Sequence, residues 1–459
     1  MKTNLSSQIK LDRIPRRYYN PDSEIELTAL RRQEKIDTRV YETAGEGADF
    51  IVEKIAKYIA RFIERRGKCV LALGAGNSTH IVYNALIKKY KEGVIDFDKV
   101  VVFNISEFFP LRPDGPSTLT RLHQVFLDQV NVRPENIHSI DPATTKEAMS
   151  EYCNAYEQQI ADEGGIDVAL CEIAPNGAIA FNEPGSQPTS YCRLVLLGNE
   201  MRHKVEKDYN CDDVPTTAIT LGLSNFISAR RLLCMAWGEN NANIIKEVVE
   251  GPATNAVPAS LLQGHPHVKV VTDLAGAEEL TRISQPWKVT SCDWNDKLMR
   301  RAIVWLSNQT GKPILKLTDK DYNDWGLGEL LALYGSAYNV NIKIFNDLQH
   351  TITGWPGGKP NADDTYRPER ATPYPKRVIV FSPHPDDDVI SMGGTLKRLV
   401  DQHHDVHVAY ETSGNIAVGD EDMMRYFLMM DKIAPMFGFD TDGYRKLSGE
   451  VQGFVAHKK

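Results

Sequence analysis

Apolar residues along this chain fall into two rhythms. Ile51, Ile55, Ile59 and Ile63 recur at every fourth position, the spacing that lines one face of a helix, and Gly67 ends the pattern. Elsewhere the apolar residues come in short runs bounded by glycine, proline or polar clusters, at 68–73, 99–105, 166–173, 193–197, 217–221, 232–237 and 268–272. Runs of that length read as buried strands. Helical spacing fills the gaps at 81–90, 118–130, 146–163 and 240–250. The alternation over residues 40–285 predicts an α/β fold on a doubly wound parallel sheet.

The flanks read differently. Residues 1–39 form an N-terminal arm, polar and proline-interrupted over 1–24, with helical character setting in from residue 25. Residues 286–376 read as a connector, with helices at 296–306 and 327–333 and a strand at 340–345. Its last part, 354–376, is dense in proline, glycine and charge, the composition of a linker at a domain boundary. A second, partial α/β module over 377–459 opens with a strand at 377–381 and has another at 406–410.

Composition narrows the function classes. A chain of 459 residues holds two or three domains at about 150 residues each. The net charge of -8 argues against nucleic acid or an anionic membrane as the main partner. No apolar run approaches the roughly 18 residues of a spanning helix, and the first residues lack the apolar stretch of a signal peptide. The seven cysteines are scattered and include no C-x-x-C pair, so they read as reduced core residues of a cytoplasmic protein.

Candidate chemistry sits in loops after predicted strands, where open α/β sheets place ligands. Gly74, Ala75, Gly76, Asn77, Ser78 and Thr79 follow the first buried strand and lead into a helix. Free N–H groups and the helix dipole would face a phosphate there; equally, the glycines could serve the turn alone. Ser106 and Glu107 follow the next strand. Glu183 lies in the loop Ala180-Phe181-Asn182-Glu183-Pro184-Gly185-Ser186, where a carboxylate could move protons or cap a turn. In the second module His384, Asp386 and Asp387 follow the opening strand. A histidine and an aspartate at that spacing can ligate Zn²⁺ while another carboxylate activates bound water, or they form a surface acidic turn. His404 and His407 are split across the faces of the next strand and read as structural.

These motifs carry two resemblances. Residues 40–285 resemble the glucosamine-6-phosphate deaminase/isomerase family through the runs 71–79, 103–108 and, most specifically, 179–186. Residues 377–419 resemble the opening of the zinc-dependent LmbE-like N-acetylglucosaminyl deacetylases. The first resemblance implies a small-molecule sugar phosphate as partner, a homo-oligomer and no cofactor. It implies conversion of glucosamine 6-phosphate to fructose 6-phosphate and ammonia, with the phosphate on the 74–79 turn. The family usually carries Asp-Glu where this chain has Ser106-Glu107, and Asp-Gly-His where it has Asn176-Gly177-Ala178; a lysine expected near Asn241 is absent. Glu183 then stands as the unchanged acid–base group, with Glu107 a replacement base and Asn176 in a former catalytic position. The second resemblance makes His384 and Asp387 half of a zinc site and Asp386 its base. The third ligand is missing before Lys459, as expected of a fragment or of a module that is no working deacetylase. Three readings follow: a deaminase, a catalytically silent sugar-phosphate-binding or regulatory protein, and a zinc deacetylase.

Overall fold

The computed structural model describes residues 14–112, 115–140, 145–211, 213–349, 377–401, 404–414, 419–438 and 442–457. The first residues of the arm and the linker at 354–376 lie outside them. The chain divides into two compact units, one of residues up to 295 together with 323–329, the other of 296–322 and 330 onward.

The strands in chain order are β1 (Thr38–Tyr41), β2 (Cys69–Leu73), β3 (Val100–Asn104), β4 (Ser106–Phe109), β5 (Ile137–His138), β6 (Val168–Glu172), β7 (Arg193–Leu196), β8 (Thr217–Thr220), β9 (Arg231–Ala236), β10 (Val268–Asp273), β11 (Arg377–Ser382) and β12 (Asp405–Tyr410). In the first unit seven of them form one parallel sheet in the order β1-β10-β9-β6-β2-β3-β5. From β2 the chain winds outward through β3 to β5, then returns to the other side of β2 at β6. Strand order therefore reverses between β2 and β6, and the crevice outside their carboxyl ends is where such sheets bind ligands.

β2 and β3 are buried at every position, as parallel strands covered on both faces must be. The helix Ala44–Arg66 covers one face with Ile51, Ile55 and Ile59, each at most 3% exposed; every such burial contributes about 1.5–3 kcal/mol. Thr43 caps its start on the Glu46 N–H at 3.3 Å, and Gly67, with φ +77°, ends it, the left-handed conformation glycine adopts without cost.

The structure departs from the sequence pattern in three places. The runs at 193–197 and 217–221 are strands, but β8 pairs antiparallel with β7 on one side and β4 on the other in a separate three-stranded sheet, β4-β8-β7. Residues 25–66 are not continuous helix: Glu24–Leu30 and Ala44–Arg66 flank β1. Residues 340–345 belong to the helix Ala337–Gln349 of the second unit, with Val340 and Ile344, one turn apart, buried. That unit also holds the parallel pair β11–β12 with helices Asp387–Asp401, Asp420–Ile433 and Asp442–His457.

Candidate functional site

The crevice between the ends of β2 and β6 contains a cavity of about 80 Å³. Gly74, Ala75, Gly76 and Thr79 line it from the turn after β2, Ile105 and Ser106 from beyond β3, Glu172 and Ala174 from the end of β6, and Met201, Lys204, Val205, Asp208 and Tyr209 from the helix Asn199–Tyr209. Small-molecule pockets run to roughly 300–1,000 Å³, so this one is small.

The chain's own charges occupy part of it. Glu172, the last residue of β6, reaches across the switch point, and its Oε2 accepts the Ser78 N–H at 3.1 Å. A Cβ on Gly76 would overlap that oxygen, so the glycine is required by the carboxylate's close approach. Lys204 Nζ lies 2.7 Å from Glu172 Oε1 and 2.5 Å from Asp208 Oδ2. Asn77 donates its amide to Asp208, and Arg121 donates to the Asn77 side chain and, at 2.8 Å, to the Asp208 carbonyl. The Arg121 guanidinium also covers the Tyr209 ring, 4.5 Å from its centre. Burial pushes the Glu172 carboxyl up, but Lys204 and Ser78 outweigh it and hold it below its ordinary value. Burial opposes the charge on Lys204, yet the two carboxylates raise it. Burial and then Arg121 lower His80 to about 4, leaving a neutral imidazole that accepts the Arg121 Nε–H at 3.1 Å.

The predicted site residues are distributed over five places, four of them in the first unit. The turn 74–79 is at the cavity, with Asn77 and Ser78 held by Asp208 and Glu172. Glu107 is 1% exposed and turned away. Its carboxylate accepts the N–H groups of Phe108, Thr118 and Leu119 and the Ser117 hydroxyl at 2.8–3.0 Å, which caps the helix Thr118–Val125. Asn176 accepts the Ala178 N–H at 3.1 Å and does not line the cavity. Glu183 faces a second, open groove of about 390 Å³ with Ser186, Gln187, Ser190 and Arg193. It accepts the Gly198 N–H at 2.9 Å, and burial raises its carboxyl. The motif's asparagine is the pin: fully buried Asn182 donates to the Ile179 and Leu221 carbonyls at 3.0 and 2.8 Å and accepts from Arg193 at 2.9 Å. Ala180 before it has φ +51°, a conformation L-residues enter only when held there.

In the second unit His384 Nδ1 lies 3.0 Å from Asp387 Oδ2, both side chains substantially exposed. Asp386 is exposed, whereas Asp388 is buried and its N–H donates to the Ser382 hydroxyl at 3.1 Å. Among the described residues no three His, Cys, Asp or Glu side chains converge as a metal cage would require. A catalytic zinc takes three protein ligands, of which the His384–Asp387 pair would supply two.

Reasoning from sequence missed Glu172, Lys204, Asp208 and Arg121. The available signals were a charge ending a buried parallel strand and the four-residue spacing of Lys204 and Asp208 on one helix face.

Comparison with known proteins follows the same lines. The family described as glucosamine-6-phosphate isomerases/6-phosphogluconolactonase matches residues 42–271, and the GlcNAc-PI de-N-acetylase family matches residues 379–433. A glucosamine-6-phosphate deaminase-like protein of Bacteroides thetaiotaomicron is 54% identical over 463 residues, covering 100% of this chain and 70% of that protein. Glucosamine-6-phosphate deaminase of Thermoanaerobacter pseudethanolicus is 34% identical over 227 residues, 49% of this chain and 89% of its own. Glucosamine-6-phosphate deaminase 2 of Bacillus subtilis is 34% identical over 233 residues, 50% and 93% of the two chains. Among solved structures, a monomeric glucosamine-6-phosphate deaminase aligns with TM-score 0.50 and 25% identity, over 53% of this chain and 100% of that one. The matched residues 42–271 include every strand that borders the cavity, and the chain belongs to the glucosamine-6-phosphate isomerase/6-phosphogluconolactonase family.

Proposed function

We propose that this chain is a deaminase-like sugar-binding protein in which turnover of glucosamine 6-phosphate is lost. One observation carries the reading. Every ionisable side chain lining the cavity is already engaged: Glu172 and Asp208 on Lys204, and Tyr209 beneath Arg121. Isomerisation with loss of ammonia needs a free group to take a proton from the sugar, and general acid–base groups act only within hydrogen-bond reach of it. Serine at 106 and alanine at 178 cannot take that role near neutral pH, and the Glu107 carboxylate is occupied as a helix cap. The groove beside Glu183 is the side with room for a sugar ring.

The test is release of ammonia and fructose 6-phosphate from glucosamine 6-phosphate by the full chain, beside its Glu183→Gln variant. Loss of one acid–base group costs about 10²–10⁴ in rate, so both proteins are expected to lie at least that far below an active deaminase and level with each other. Release within tenfold of an active deaminase would overturn the reading. A slower release that vanishes in the variant would favour a slow deaminase instead. The observation behind that second reading is Glu183 itself, a half-buried carboxyl raised by burial, with one hydrogen-bond donor on it and an open groove before it.

A further inference from the structure

The turn at 74–79 has the features of a phosphate cradle: it follows a buried strand, opens a helix and keeps glycines where a ligand would approach closely. In this chain the approach is made from inside. The Glu172 carboxylate sits against Gly76, takes the Ser78 N–H at 3.1 Å and is neutralised by Lys204 at 2.7 Å. Asp208 takes the Asn77 amide and the same lysine. Two carboxylates thus occupy donors that an incoming anion would need, and the space left is about 80 Å³.

We propose that Glu172 is the specificity-determining residue of this cavity, an internal anion standing in for a ligand's phosphate and excluding sugar phosphates from the turn. The inference deepens the reading of a non-turning sugar-binding protein and rests on it. Like charges brought together in a space of low dielectric repel strongly, so a phosphate dianion cannot join Glu172 there. Shortening the side chain removes the resident charge and frees the Ser78 N–H and one face of Lys204 for an external anion. Neither group has to move for this, because Asp208 continues to hold Lys204 in place.

The experiment is calorimetric titration of the full chain, wild type and Glu172→Ala, with inorganic phosphate, glucosamine 6-phosphate and unphosphorylated glucosamine. Glu172→Gln, which keeps the shape and drops the charge, stands beside them in case the shorter side chain disturbs folding. The expected result is phosphate and glucosamine 6-phosphate affinity at least tenfold higher in Glu172→Ala than in wild type. A smaller gain is expected in Glu172→Gln, with glucosamine unchanged throughout. Adding Lys204→Met to Glu172→Ala is expected to cancel the gain, which a merely structural role for Glu172 does not require. Equal phosphate affinity in wild type and both variants, or binding in none of them, overturns the proposal. Ammonia release by the wild type would sink the silent reading yet leave this comparison intact, because it is decided by the ratio of affinities.

Discussion

Single residues in this protein show how little a residue type says about its task. Glu107 and Glu183 are both glutamates in loops or short strands near the sheet's carboxyl rim. One is sealed in and receives four hydrogen bonds, three of which tie β4 to the start of the helix Thr118–Val125; the other receives one, from Gly198, at the edge of an open groove. The difference predicts opposite responses to the same substitution. Glu107→Gln leaves an amide that cannot satisfy the Thr118 and Leu119 N–H groups together, and loss of a helix cap costs about 0.5–2 kcal/mol. A buried donor left unpaired adds about 1–3 kcal/mol. A lower urea midpoint with unchanged slope is therefore expected for Glu107→Gln, and little change for Glu183→Gln. A stable Glu107→Gln protein would show that the carboxylate is not a structural cap. None of this was legible beforehand, because three of the four partners of Glu107 lie ten to twelve residues downstream and beyond a turn.

At the scale of elements, the sequence was most readable where one period dominated. Isoleucines every fourth residue marked the long helix, and the short apolar runs marked the strands. Four-residue β1, Thr-Arg-Val-Tyr, was hidden because it offers only two buried positions. The run 340–345 misled because Val340, Ile342 and Ile344 alternate as a strand's residues do, while Val340 and Ile344 also satisfy the helical period and tertiary packing chose that. The site was legible as a set of loops but not as a set of contacts, since only the reversal of strand order brings Glu172 to Gly76. A further contact between distant elements carries a pH signature. Glu34, after the first helix, and Arg282, on the short helix Thr281–Ser284, form a fully buried pair with Nε 2.9 Å from Oε1. Burial outweighs the attraction of Arg282 and raises the Glu34 carboxyl to about 7. A raised folded-state value means that the folded protein holds the proton more tightly than the unfolded chain. The associated stability is present below the ordinary glutamate range near 4.3 and is lost as pH rises through about 7. Urea midpoints are expected to fall across that window in the wild type and to flatten in Glu34→Gln. An unchanged slope in the variant would mean that Glu34 is ionised in the folded protein throughout.

Over the whole molecule the apolar residues are unevenly shared. Among the described residues, clusters that include Ile51, Val102, Phe103, Leu170, Cys234 and Val270 fall in the first unit, while the second buries a smaller helical set with Met299, Ile303, Leu306, Val340 and Ile344. In the second unit the β11–β12 pair buries Val380 but leaves Ile379 and Phe381 58% and 69% exposed, and a two-stranded sheet is marginal without further cover. Cooperative two-state unfolding is a property of single domains with one continuous core. Heating the full chain is therefore expected to give two calorimetric transitions, the lower from the second unit and the upper from the parallel sheet. The substitutions already described assign them, because Glu34, Glu107 and Glu172 all lie in the first unit. Glu107→Gln should lower only the upper transition, and phosphate should raise only the upper transition, in Glu172→Ala and not in the wild type. One transition with equal calorimetric and van't Hoff enthalpies would mean that the two units unfold as one, and that the thin core after residue 377 draws its stability from the first.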